Sequence, residues 1–149
     1  MIDFKDKKVL ITGATGGIGY ALVKRFVSLN ASVLATGTKN EKLDTLKKEF
    51  PNINILKFDI SDHPKIEEFI ENVHSQLVGL DILINNAGIN KDNLSLRMKE
   101  DEWQKVIDIN LGSTFLLCKS AIKKMLKNKY GRIINITSIV GHTGNLGQA

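Results

Sequence analysis

The sequence predicts an α/β protein built on a doubly wound parallel sheet, three layers deep as α/β/α. Three observations predict it. Short β-branched runs alternate with longer segments of helical period along the chain, which implies right-handed crossovers and parallel strands. The runs "VLI", "ILI" and "RIINI" are nearly all apolar, as strands covered on both faces require. No linker, repeat or low-complexity tract interrupts the 149 residues, so 1–149 reads as one domain.

The first strand falls at 8–12 and runs into a glycine-rich loop. A helix at 17–29 follows, with Ile18, Leu22, Phe26 and Leu29 on its inward stripe. Strand 32–37 with helix 40–50, and strand 54–59 with helix 64–77, repeat the unit. Strand 80–85 then leads to one long helical pattern at 101–128, whose apolar stripe is Trp103, Val106, Ile107, Leu111, Phe115, Cys118, Ala121, Ile122 and Met125. Asn110 falls on that same stripe, as a weak helix former whose buried amide needs partners. The last strand, 132–138, carries Ser138 at its end, and no further strand is expected before Ala149.

Composition narrows the class without naming a function. Hydrophobic residues at 42% and charged residues at 25% are those of a soluble globular protein. One cysteine, Cys118, excludes a disulfide framework and fits a cytoplasmic location. The amino-terminal apolar run is too short for a secretory h-region or a membrane span. The net charge of +5 is spread among glutamates with no aromatic interleaving, so no nucleic-acid partner is expected. His63, His74 and His142 have no metal-ligand spacing and are expected on the surface.

Small or polar residues follow every strand, at 13–19, 36–39, 59–62, 85–88 and 138–141. In open parallel sheets the ligand crevice lies at those ends. The first group, "TGATGGIG" from Thr12 to Gly19, joins a strand to a helix. Gly13 lets the chain turn, Gly17 permits close approach of a pyrophosphate, and Gly19 seats the helix on the sheet. The helix start then offers free N–H groups to phosphates. That context makes the fold Rossmann-like and the ligand a dinucleotide.

The spacing Thr-Gly-x-x-x-Gly-x-Gly resembles the fingerprint of the short-chain dehydrogenase/reductase family. "NNAG" at Asn85–Gly88, the "IN" ending at Asn110, and Ser138 after "RIINIT" resemble that family's later fingerprints in the same order. The stretches "NNAGINKDNLSLRMKEDEW" and "GRIINITSIVGHTGNLGQA" resemble its bacterial members that reduce 3-oxoacyl groups on acyl carrier protein in fatty-acid synthesis. The resemblance implies that Gly13, Ala14, Thr15, Gly16, Gly17, Ile18, Gly19, Thr38, Asp59, Ile60, Asn86, Ala87 and Gly88 hold the cofactor. No acid follows the second strand before Glu41, and Thr38 with Lys39 suit a 2′-phosphate, so NADPH is expected. Gly16 stands where many NADPH-using relatives carry arginine.

By the same resemblance Asn110 holds a water in a proton relay on a kinked helix, and the Ser138 hydroxyl holds the substrate carbonyl. The implied proton donor is a tyrosine with a lysine four places on. Tyr130 has Ile134 at that spacing, and Tyr20, which does have Lys24, starts a face expected to point outward. The chain to Ala149 is therefore expected to stop after the fifth strand, short of the donor, and to be inactive alone. The implied partners are acyl carrier protein, met by Lys123, Lys124, Lys127, Lys129 and Arg132, and further copies of the chain in a tetramer. Two other readings stay open: a non-catalytic dinucleotide-binding fragment, and a reductase of another ketone.

Overall fold

The computed structural model describes residues 3–148 and carries five strands, β1 (Lys8–Ile11), β2 (Ser32–Gly37), β3 (Asn54–Lys57), β4 (Ile82–Asn85) and β5 (Arg132–Asn135). They form one parallel sheet in the order β3-β2-β1-β4-β5. The chain winds outward from β1 to β3, then returns to lay β4 beside β1, so strand order reverses between those two. Among the described residues no helix is long and apolar enough to cross a membrane.

Alternation along the strands divides the interior into two layers. Leu10, Leu34 and Leu83 face a core with Ile70, Val73, Leu117 and Ala121, supplied by α3 (Ile66–Leu77) and α5 (Ser113–Lys127). Val9, Ile11, Val33, Ile82 and Ile84 face a second core with Val23, Phe26 and Leu46, supplied by α1 (Gly17–Ser28) and α2 (Asn40–Glu49). Ion pairs from Lys123 to Glu67 and from Lys124 to Glu71 tie α5 to α3. Two of the lysines expected to meet a carrier protein are thus neutralised within the chain.

Three features depart from the sequence-based expectation. The long helix is two helices, α4 (Glu100–Ile107) and α5, joined by a π-turn at Asp108–Gly112. A π-turn inserts one residue, which rotates everything after it by about 100°. The buried face of α5 is therefore Ser113, Leu117, Ser120, Ala121 and Met125, while Leu111, Phe115 and Ile122 are 63%, 64% and 44% exposed. Likewise α1 buries Gly19, Val23 and Phe26, and Ile18 is exposed. Finally, β5 ends at Asn135, with one further bond from Ile136 N–H to Asn85 O at 2.9 Å, so Ser138 stands on a loop before the single turn α6 (Val140–Thr143).

Candidate active site

At the carboxyl edge of the sheet, β1 turns into α1 through a loop that only glycine permits at two points. Gly13 has φ +61°, and a Cβ there would stand 2.8 Å from Ala87 Cα. At Gly19 a Cβ would lie 2.2 Å from Gly13 O and 2.8 Å from Ala14 Cα, so the helix sits on the loop at backbone contact. Gly17 is the opposite case, with open space where a side chain would be. No acidic residue occupies the first turn of α1, whose N–H groups have no intrahelical partners.

The segment after β4 is riveted to this loop. Thr12 Oγ1 accepts from Asn86 N–H and Ala87 N–H, both at 3.0 Å, and faces Ile84 O at 3.3 Å. The Asn86 amide in turn donates to Thr12 O at 3.0 Å and Gly13 O at 3.1 Å. Asn86, Ala87 and Gly88 thereby form the second wall of a cleft of about 760 Å³, a size suited to a bound cofactor. Gly13, Thr15, Gly16, Gly17, Ile18, Gly19, Thr38, Asp59 and Ile60 also line it. Ala14 differs, since its side chain is buried and its N–H is committed to Thr36 O at 2.9 Å; it shapes the loop without lining the cleft.

The far end of the cleft has a distinct chemistry. Asp59 Oδ1 accepts from Ser61 Oγ at 2.7 Å and Ser61 N–H at 2.9 Å. These bonds hold its carboxyl below the usual range, with a smaller pull from Lys105 and an opposing effect of burial. Thr38 lines the cleft, while Lys39 is exposed as the residue preceding α2. Thr36, from the strand-end group 36–39, lines it as well, and so does Lys105, which was not picked out from sequence. The Thr36 hydroxyl is buried and has no partner among the described residues, a polar atom that calls for one from outside. Together with the open space at Gly17, this fits a dinucleotide.

A second hollow of about 550 Å³ shares Ile89 with the cleft and contains Asn110 and Ser138. The π-turn presents Asn110, whose amide donates to Ile89 O at 2.8 Å and whose Oδ1 accepts from Ile89 N–H at 2.9 Å. Gly88 leaves room for it, since a Cβ there would stand 3.0 Å from Oδ1. Ser138 Oγ accepts from Val140 N–H at 3.3 Å, which leaves its own hydrogen available to a ligand. Gln148 closes the far wall by donating to Asp92 Oδ1 at 3.0 Å.

Tyr20 lines neither hollow. Its hydroxyl donates to Glu49, which raises its pKa, and its ring packs on Phe50. It is held by α2 rather than standing beside Lys24 as a solvated pair. His63 is also not where its sequence suggested, for it is half-buried with Nε2 3.0 Å from Ser113 Oγ.

A doubly wound parallel sheet, a Thr-Gly-x-x-x-Gly-x-Gly loop at its switch point and an asparagine-bearing wall opposite are features of the short chain dehydrogenase family; the family's pattern matches residues 7–149, and the chain belongs to it. It is 47% identical over 149 residues to the 3-oxoacyl-[acyl-carrier-protein] reductase of Rickettsia bellii, covering 100% of this chain and 61% of that protein. Proteins of the same name from Salmonella typhimurium and Aquifex aeolicus are 41% and 38% identical, each over 99% of this chain and 61% of their own length. The chain thus spans 61% of the length of these curated relatives.

Proposed function

We propose that these residues are the dinucleotide-binding part of an NADPH-dependent reductase that converts a 3-oxoacyl group on acyl carrier protein to the 3-hydroxyacyl group in cytoplasmic fatty-acid synthesis. The observation that carries this reading is the junction at Ile89, where a cleft built for a dinucleotide meets a hollow holding Asn110 and Ser138. The names of the relatives support the substrate.

In this reading the first turn of α1 binds the pyrophosphate, Asp59 and Ile60 flank the adenine, and Thr38 meets the 2′-phosphate. NADPH, when bound, supplies hydride. Ser138 donates its hydroxyl hydrogen to the substrate oxygen, where negative charge develops, and so favours the transition state over the ground state. Asn110 orders the backbone and water beside it. Proton delivery falls to a Tyr-x-x-x-Lys pair contributed by residues following Ala149 in the natural protein, which assembles as a tetramer.

Titration of the purified chain with NADPH and NADH tests the cofactor, and tighter NADPH binding is expected; equal or tighter NADH would overturn that half. Oxidation of NADPH by a 3-oxoacyl thioester should proceed with the natural protein and be absent with the 149-residue chain. Turnover by the shorter chain would mean that another group donates the proton.

A further inference from the structure

We propose that His63 is a positioning residue for Asn110, linking the adenine end of the cleft to the π-turn; this rests on the reading of Asn110 as part of the reductase site. His63 leaves the cleft wall three residues after Ile60 and opens a single 3-10 turn before α3. Its imidazole reaches back across to the π-turn, where Nε2 lies 3.1 Å from Asp108 O and 3.0 Å from Ser113 Oγ.

The direction of these bonds follows from the acceptors. Asp108 O carries no hydrogen and can only accept, and the Ser113 hydroxyl has carbonyl acceptors for its own in Ile60 O at 2.7 Å and Asp108 O at 3.1 Å. Nε2 must therefore carry the hydrogen and donate to both. Asp108 and Ser113 bracket the turn that holds Asn110, and Ser113 is fully buried. The ring is admitted because Gly112 has no side chain, for a Cβ there would stand 3.2 Å from His63 Cε1.

The consequence is one closed circuit. Ile60 lines the nucleotide cleft, Ser113 Oγ binds Ile60 O, His63 binds both ends of the π-turn, and Asn110 in that turn binds Ile89 at the junction of the two hollows. His63 itself lines neither hollow. Any effect of changing it on the nucleotide or on Asn110 must therefore travel through this circuit.

The test uses the 149-residue chain with NADP+ as the probe and the side-chain amide resonances of Asn110 as the readout. His63→Phe keeps a ring but removes the donor, whereas His63→Gln supplies an amide N–H. In His63→Phe the Asn110 resonances should move toward those of a free amide, and the NADP+ Kd should rise roughly two- to tenfold, the worth of one hydrogen bond. His63→Gln should restore both. Gly112→Ala, which crowds the imidazole while leaving it in place, should reproduce the His63→Phe result and serves if that variant does not fold. Wild-type Asn110 resonances in His63→Phe, or a His63→Gln chain as altered as His63→Phe, would overturn the proposal. If the unmutated chain does not bind NADP+, the reading of the cleft fails, and the Asn110 resonances still decide the role of His63.

Discussion

Asn110 and Ile89 hold each other through two opposed hydrogen bonds, with the amide nitrogen on Ile89 O at 2.8 Å and Oδ1 on Ile89 N–H at 2.9 Å. This pairing joins the π-turn to the segment leaving β4, and it needs both a donor and an acceptor on one side chain. Asn110→Asp keeps only the acceptor and turns an oxygen toward a carbonyl. A loss of about 1 kcal/mol is expected, read as a lower urea midpoint. An unchanged midpoint would show that the pairing contributes no net stability.

Gly19 and Gly17 are two residues apart and should respond in opposite ways. Gly19→Val forces a Cβ to 2.2 Å from Gly13 O, so helix and strand must separate and dinucleotide binding should be lost. Gly17→Ala meets nothing within 4 Å, so folding should be unaffected or slightly improved. NADP+ affinity should nonetheless fall, since the methyl group fills space proposed for the pyrophosphate. Thermal melts and titration of both variants separate the two effects.

Thr38→Asp should reverse the cofactor preference. It places a carboxylate on the cleft wall where a 2′-phosphate is proposed to sit. NADPH affinity should drop by roughly tenfold or more, given the cost of like charges in contact, while NADH affinity holds or improves. Paired Kd measurements decide it, and a variant still preferring NADPH would displace the phosphate site from Thr38.

Val78 ends α3 in a left-handed conformation, φ 54° and ψ 46°, which is costly for a β-branched residue. Its side chain is 84% exposed and buries little. Val78→Gly should therefore stabilise the chain by about 1 kcal/mol, seen as a higher Tm. A lower Tm would mean that the lost chain entropy of the unfolded state dominates.

Acid should weaken the turn at Asp59. Its folded pKa is depressed by the two bonds from Ser61, so the folded state holds its proton less tightly than the unfolded chain. That contribution is present above the ordinary aspartate range and is lost as pH falls through the folded value. The group is largely exposed, so the effect is small and salt-screened. Asp59→Asn should flatten the lowest part of the stability–pH curve, and an identical curve would show no linkage at this residue.

The sequence by itself determined the layers, the strand-end edge and the glycine loop, because each is written in local chemistry. The apolar runs of β1 and β4 are buried as internal strands, and Gly13 and Gly19 stand where backbone approaches backbone. The run of β5, expected to be covered on both faces, instead lies at the sheet edge with Ile134 and Ile136 exposed. Tertiary structure alone decided the rest. The π-turn at Asp108–Gly112 breaks a stripe that a uniform helical count extends through it, so Ala121 and Met125 stay inward as expected but are joined by Ser113 and Leu117, while Leu111, Phe115 and Ile122 are exposed. Lys105 reached the cleft, and His63 the π-turn, across separations of 46 and 50 residues, from Asp59 and to Ser113 respectively. No periodicity encodes contacts of that span: they exist only once the sheet has brought β3, β4 and the two halves of the interrupted helix to one edge.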